Sequence, residues 1–247
     1  RLTGRDRTHW QRMEHYDDAL SRDPRLDTLE TEGVAAVHEF AAAGEYTVST
    51  SWGKDSVAAA HIALLADPTA RLVWARAADV ETPECEQVRD TFLAIHPHAR
   101  YEEHTYTFRV PLRFEPGHDT APHQDALAET LTGRYVSGLR AQESRIRRIS
   151  ISHRGLVTPN TCRPIGKWDA THVFAYLHRE GLPLHPAYAM TQGGFYDRAW
   201  LRVHPLATAT PPQSAVQGRD HATWEDTYYP DILAAAKKAR AHMWEVA

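Results

Sequence analysis

Tyr46-Thr-Val-Ser-Thr-Ser-Trp-Gly-Lys-Asp-Ser56 runs directly into Val57-Ala-Ala-Ala-His-Ile-Ala-Leu-Leu-Ala66. Residues 46–50 are rich in β-branched and aromatic side chains, which predicts a strand. Residues 57–66 are good helix formers, and the run stops before Pro68. The polar hexapeptide Ser51–Ser56 is therefore a strand-to-helix junction. Gly53 lets the backbone approach a ligand closely. The free amides and the dipole of the helix start favour an anion. Ser51 and Ser56 add hydroxyls and Lys54 adds a point charge, so the junction reads as a phosphate cradle. Asp55 has the chemistry of a Mg²⁺ ligand. A Walker A loop is excluded, because Asp55 follows the lysine where Ser or Thr is required.

Outward from this junction, strand and helix alternate. A second strand is expected at residues 71–78. Thr82-Pro-Glu84 follows as an N-cap, a first-position proline and an acidic first turn, opening a helix to about Ile95. A third strand is expected at 101–106, a proline-rich loop at 107–122, a helix at 123–133 and a strand at 135–139. Further helices are expected from Gln142 and over 169–180, the latter closed by Gly181 and Pro183. This order predicts an α/β fold, three-layered, with a mainly parallel twisted sheet and helices on both faces. Ligands of such sheets bind beyond the strands' carboxyl ends, where the junction lies.

Residues 1–44 carry Leu26, Leu29, Val34, Val37 and Phe40 at helical spacing and read as a helical lead-in, with Gly44 as C-cap. Residues 45–190 form the nucleotide domain. Residues 191–247 read as an irregular extension packed on the same domain. Its 190–220 stretch is expected to be a surface excursion, and 230–246 a closing helix.

The chain has 247 residues, enough for a large core, and 28 basic against 32 acidic residues, a net charge of −4. Bulk charge therefore does not drive polyanion binding, although a local basic patch remains open. No apolar run approaches the roughly 20 residues of a spanning helix, and the start, Arg1 to Trp10, is polar and carries no signal-peptide pattern. Only Cys85 and Cys162 are present, and no CxxC pair, which excludes a disulfide scaffold and a four-thiolate cluster site. A reducing cytoplasm is the expected compartment.

The junction resembles the S-G-G-K-D-S loop of the N-type ATP pyrophosphatases, the PP-loop or adenine nucleotide alpha hydrolase-like superfamily, with Trp52 in place of the first glycine. Within it the chain resembles the phosphoadenosine phosphosulfate reductase family. Four further segments carry this likeness. They are Asp79-Val-Glu-Thr-Pro-Glu84; Gly138-Leu-Arg140-Ala-Gln-Glu143-Ser-Arg145; Arg163-Pro-Ile-Gly-Lys-Trp168 with the helix around His172 to Leu177; and Leu182-Pro-Leu-His-Pro-Ala-Tyr188. His172 stands where the family has Asp, and Arg145 comes early.

The resemblance implies a HUP-like fold and attack on the α-phosphate of ATP, with pyrophosphate leaving. Lys54, Asp55, Arg140 and Arg163 are then the catalytic candidates. Ser49, Ser51, Trp52, Gly53, Ser56, Asp79, Gly138, Glu143 and Arg145 join them as nucleotide-binding candidates, with Asp55 and Asp79 as Mg²⁺ ligands. Arg140, Arg145 and Arg163 are either phosphate contacts or solvated arginines, and Glu143 is read as their organiser. Val48, Thr50, Ala77 and Leu139 border the adenine slot, and Trp168 packs behind the site. Cys85, at a helix start, is read with a lowered thiol pKa. Together with Cys162 it is either a sulfur-carrying pair or chemically silent.

Several functions remain open at this point. The first is adenylyl transfer to a small-molecule or nucleic-acid acceptor, in sulfur metabolism or nucleotide modification, with a protein partner or a second copy possible. Sulfonucleotide reductase activity is a second, disfavoured because no cysteine follows residue 162. A third is an ATP sulfurylase small-subunit activity, and a fourth is a non-enzymatic adenine-nucleotide module.

Overall fold

In a computed structural model of the protein, residues 1–107, 112–114, 131, 133–203, 205–207 and 221–245 are described. The expected helix at 123–133 falls almost wholly outside them, as do most of the 107–122 loop and part of the 190–220 stretch.

Two helices precede the sheet, α1 (Gly4–Leu20) and α2 (Arg25–Ala42). The spacing of Leu26, Leu29, Val37 and Phe40 buries one stripe of α2, as expected; the helix ends at Ala42 with Ala43 as its C-cap, one residue before the expected Gly44, which follows at φ 130°. Then follow β1 (Thr47–Thr50), α3 (Lys54–Ala66), β2 (Arg71–Ala77), α4 (Pro83–Ile95), β3 (Arg100–Tyr106) and β4 (Tyr135–Val136). After a short 3₁₀ turn at Ala141–Glu143 come α5 (Arg145–Arg154), β5 (Thr161–Cys162) and α6 (Ala170–Arg179). The chain closes with α7 (His221–Tyr228) and α8 (Pro230–Glu245).

The five strands lie in the order β3-β2-β1-β4-β5, and every neighbouring pair is parallel. Crossovers through α3 and α4 step one way from β1, and the crossover through α5 steps the other way. Right-handed connections put those two sets on opposite faces. The topological switch lies between β1 and β4, and the Ser51–Ser56 junction leaves β1 at that point.

Two hydrophobic cores flank the junction. The first lies under the sheet and includes Val48, Trp52, Val57, Ile62, Trp74, Phe92 and Trp168. The second gathers Ala77, Tyr188, Met190, Leu201, Val203, Trp224 and Tyr229 beyond the strand ends. The surface excursion expected at 190–220 is thus corrected for its described residues: Met190, Tyr196, Leu201, Val203 and Leu206 are buried. They are held by short 3₁₀ turns, which leave no period to read. Two buried carboxylates of α1 fasten this segment. Asp6 accepts from the amides of Thr191 (3.1 Å) and Gly193 (3.0 Å). Asp17 takes the Arg198 guanidinium in a two-pronged pair at 2.8 and 2.5 Å. Helix α1 is therefore a clamp on the C-terminal segment as well as a lead-in.

Candidate nucleotide site

Helix α3 starts at Lys54, earlier than its apolar run suggests, so Lys54, Asp55 and Ser56 form its first turn. Gly53 is its N-cap in extended conformation. A Cβ on Gly53 would lie 3.2 Å from the Tyr188 hydroxyl and 3.4 Å from Val203 Cγ2, so the second core presses directly on the loop. Gly138, just past β4, is needed for a closer approach: a Cβ there would meet the Asp55 carbonyl oxygen at 2.6 Å. That contact locks the end of β4 against the first turn of α3.

Trp52 occupies the left-handed region at φ 59°, where a non-glycine residue is strained by about 1 kcal/mol. Its indole is fully buried and points away from the loop amides. It packs edge-on to Trp74 at 6.3 Å and against Phe92 and Tyr101 at 5.7 and 5.8 Å between ring centroids. Aromatic burial of this size outweighs the backbone strain.

The charged centre is built on Asp55. One carboxylate oxygen takes Lys54 Nζ at 2.7 Å, and the other takes Arg140 Nε at 2.7 Å. Burial alone raises the Asp55 carboxyl, but the two cations outweigh it and hold it below its ordinary value. Burial pulls the Lys54 ammonium down, against the opposing pull of Asp55. Lys54 is 2% exposed and Arg140 1%. Arg140 Nη1 also donates to Gln142 Oε1 at 2.8 Å, and Gln142 in turn accepts the first amide of α6 from Ala170. Glu143 accepts from the Arg140 amide at 2.9 Å and from Arg147 Nη1 at 2.5 Å.

The remaining predicted residues are placed as follows. Ser51 donates its amide to Ser56 Oγ at 3.1 Å, and Ser56 Oγ donates to the Gly53 carbonyl at 3.0 Å. Ser49 is half-buried within β1. Arg163 is half-buried and bonds Ser150 at 3.3 Å, and Arg145 is exposed at the start of α5. Neither makes a described contact with Lys54, Asp55 or Arg140. Asp79 pairs with Arg240 of α8 at 3.0 Å. Val48 and Ala77 are packed inside the two cores, Thr50 bonds the Val73 carbonyl, and Leu139 is half-buried. Trp168 is buried edge-on against Tyr176, as expected.

Three groups escape a reading of the sequence. The Tyr188 hydroxyl accepts the Lys54 amide at 3.1 Å, standing where an anionic oxygen would sit at this helix start. Its signal was the L-P-x-x-P-x-Y turn, which pointed to a family but not to a contact. Arg147 lies two residues beyond the quoted Gly138–Arg145 segment and pairs with Glu143. Arg202 had no signal at all. Its amide donates to His221 at 3.0 Å, and burial pulls its guanidinium below the ordinary arginine value, with Glu225, Arg147 and Glu143 in electrostatic range.

The thiols require a correction. Burial and the nearby Glu81 carboxylate push Cys85 up, not down. Thr82 does not cap α4 with its side chain. His185 Nδ1 accepts the Ala187 amide, so Nε2 carries the proton and donates to Thr82 Oγ1 at 2.8 Å. Thr82 in turn lies 3.3 Å from Cys85 Sγ. Burial also raises Cys162, to about 12. Cys85 touches the end of β1 while Cys162 lies on β5, two strand spacings or roughly 10 Å across the sheet, so the two do not pair.

Which groups fit a nucleotide follows from this geometry. The first-turn amides of Asp55 and Ser56 have no acceptor within the helix and none among the described side chains, which fits a phosphate oxygen. Lys54 and Arg140 supply cations at the same place. Magnesium fits less well as the residues stand: both Asp55 oxygens are ion-paired and Asp79 is paired elsewhere. No group of three His, Cys, Asp or Glu among the described residues could hold a metal ion.

Sheet order and loop together define a PP-loop α/β protein. The phosphoadenosine phosphosulfate reductase domain family matches residues 45–196, and the chain belongs to that family. No curated protein matches it. Among solved structures it is similar to the U34-tRNA thiolase NcsA from Methanococcus maripaludis with its 4Fe-4S cluster. That likeness has 11% identity and a TM-score of 0.46, over 89% of this chain and 80% of that one. No helix among the described residues is long and apolar enough to cross a membrane.

Proposed function

We propose that the protein binds ATP at the Ser51–Ser56 loop and cleaves it between the α- and β-phosphates, passing the adenylyl group to an acceptor. The observation that supports this reading most is the buried Lys54–Asp55–Arg140 cluster on the first turn of α3, at the switch point of the sheet.

The outer phosphates would lie against the Asp55 and Ser56 amides. A phosphate oxygen would displace the Tyr188 hydroxyl from the Lys54 amide. Lys54 and Arg140 would then share their charge between Asp55 and the phosphates, and Arg202 would enter from the second core. As the acceptor's oxygen, nitrogen or sulfur bonds the α-phosphorus, the bridge to the β-phosphate breaks and pyrophosphate leaves with the bonding electrons. Charge builds on that leaving group, and fixed cations in a dry site stabilise it most. Magnesium enters as the ion that ATP carries. The acceptor class belongs to sulfur or nucleic-acid chemistry, and a cytoplasmic reaction is part of this proposal. Neither thiol has a role in it, because both are buried and pushed up.

The test is pyrophosphate release from Mg-ATP across sulfate, nucleic acid and small carboxylates as acceptors. Release with at least one acceptor, lost in Lys54→Ala, is expected. Absence of release with every acceptor would leave only a nucleotide-binding module.

A further inference from the structure

Helix α5 is unlike every other helix among the described residues. Its ten residues, Arg-Ile-Arg-Arg-Ile-Ser-Ile-Ser-His-Arg from Arg145 to Arg154, include four arginines and no acidic residue, in a chain of net charge −4. Only Ile151 is buried. Ile146 is 80% exposed and Ile149 48%, while Arg145, Arg148, Ser152 and His153 are also exposed. Helical spacing sorts these into two adjacent rows on the outer side. Arg145, Arg148 and Ser152 form one, and Ile146, Ile149 and His153 form the other. Arg147 is turned inward and neutralised by Glu143. Arg145 and Arg148 make no ion pair or side-chain hydrogen bond among the described residues.

A basic row beside an apolar row is the complement of a strand that offers phosphates along one edge and unstacked bases along the other. A second copy of this face would set arginine against arginine. The helix also begins at the site: Ser144 caps it, and Glu143 bonds both Arg147 and the Arg140 amide. We infer that the outer face of α5 docks a single-stranded nucleic acid and leads it to the nucleotide site as the adenylyl acceptor. The acceptor role rests on the function proposed above; the docking itself does not.

Fluorescence anisotropy with labelled oligonucleotides of ~20 residues, single-stranded RNA, single-stranded DNA and duplex, separates the possibilities. At about 50 mM salt a single strand should bind, with affinity falling steeply as salt rises. Arg148→Glu with Ile149→Ser should weaken it roughly tenfold or more and flatten the log–log salt slope by about one. Affinity for an ATP analogue and the thermal midpoint should stay unchanged, which shows that the variant is folded. The docking surface is overturned if no strand binds, or if the variant binds like the parent. It is also overturned if polyglutamate competes as well as the strand at equal charge, which would mark the face as a seat for an acidic protein. Pyrophosphate release with the bound strand is a separate readout. Release in the parent but not in the double variant supports the acceptor role, and release independent of the strand removes that role. If ATP is not turned over with any acceptor, the proposed function fails while anisotropy still decides the surface.

Discussion

The two hydrophobic cores that meet at the Ser51–Ser56 loop hold it by different means. Beneath the sheet, Val48, Trp74 and Phe92 belong to regular strands and a helix, and they share a core with the loop's own Trp52, which fixes the backbone of the loop. Beyond the strand ends, Tyr188, Leu201, Val203 and Trp224 come from 3₁₀ turns, extended backbone and a short helix, and they cover the loop's charged face. The first core places the cations. The second closes over them and is tied down by an ion pair and by amide hydrogen bonds to α1 rather than by a repeating pattern. On the proposed function, a phosphate would displace the Tyr188 hydroxyl of the second core from the Lys54 amide, so the regular half would supply binding geometry and the irregular half access.

Removing the tie should do the most damage. Arg198→Ala leaves Asp17 buried without a partner, and stability should fall by about 3 kcal/mol in urea unfolding. A loss well under 1 kcal/mol would mean that the second core does not depend on this clamp.

Acid should act on the two cores in different pH windows. His61, on α3 in the first core, is pulled down to about 4 by burial and by the neighbouring His96. Its folded value lies below its ordinary 6.5, so its contribution is complete above pH 6.5 and lost as pH falls toward 4. The loss should be roughly 3 kcal/mol, and it should vanish in His61→Gln. For Asp6, burial raises the carboxyl, but hydrogen bonds from Thr3, Gly193 and Tyr228 win and lower it. The clamp's share is therefore present above about pH 3.8 and lost only below it. Hydrogen exchange at pH 5 should loosen the first core before the second; the opposite order would reverse the comparison.

Trp52→Gly relieves the left-handed backbone but empties a pocket beside Trp74 and Phe92. A net destabilisation of about 2 kcal/mol is expected, strain relief offsetting part of the cavity. A stabilised variant would show that strain, not packing, dominates there. The smallest effect belongs to Tyr188→Phe. The Lys54 amide loses its acceptor, at a cost of about 1 kcal/mol. ATP should bind a few-fold more tightly, because a competing oxygen is gone. Weaker binding would make the hydroxyl a nucleotide contact.

The same division explains what could be read from the sequence. β1 and β2 are legible because β-branched, aromatic and apolar residues cluster between turn signals, β3 only through Tyr101, Thr105 and Tyr106, and α2 because Leu26, Leu29, Val37 and Phe40 repeat at helical spacing. β5 has two residues, too few for any pattern. Of the second core only the closing helix and the Leu182–Tyr188 turn are legible, since its anchors join Asp17 to Arg198 and Asp6 to Thr191 across most of the chain. At the site, Lys54 and Asp55 were legible as neighbours, and Arg140 with Glu143 through their common segment. Tyr188 and Arg202 were not, because their proximity is made by packing alone. The expected lowering of the Cys85 thiol failed for a related reason: a helix start was visible in the sequence, whereas its burial beside Glu81 was not.

The central claim is that the first turn of α3 grips the phosphates of ATP. Calorimetric titration of the protein with α,β-methylene ATP and magnesium tests it directly, alongside Lys54→Ala. The account predicts saturable binding by the parent and a roughly hundredfold or greater loss in the variant. Equal binding by both, or none by the parent, would contradict it.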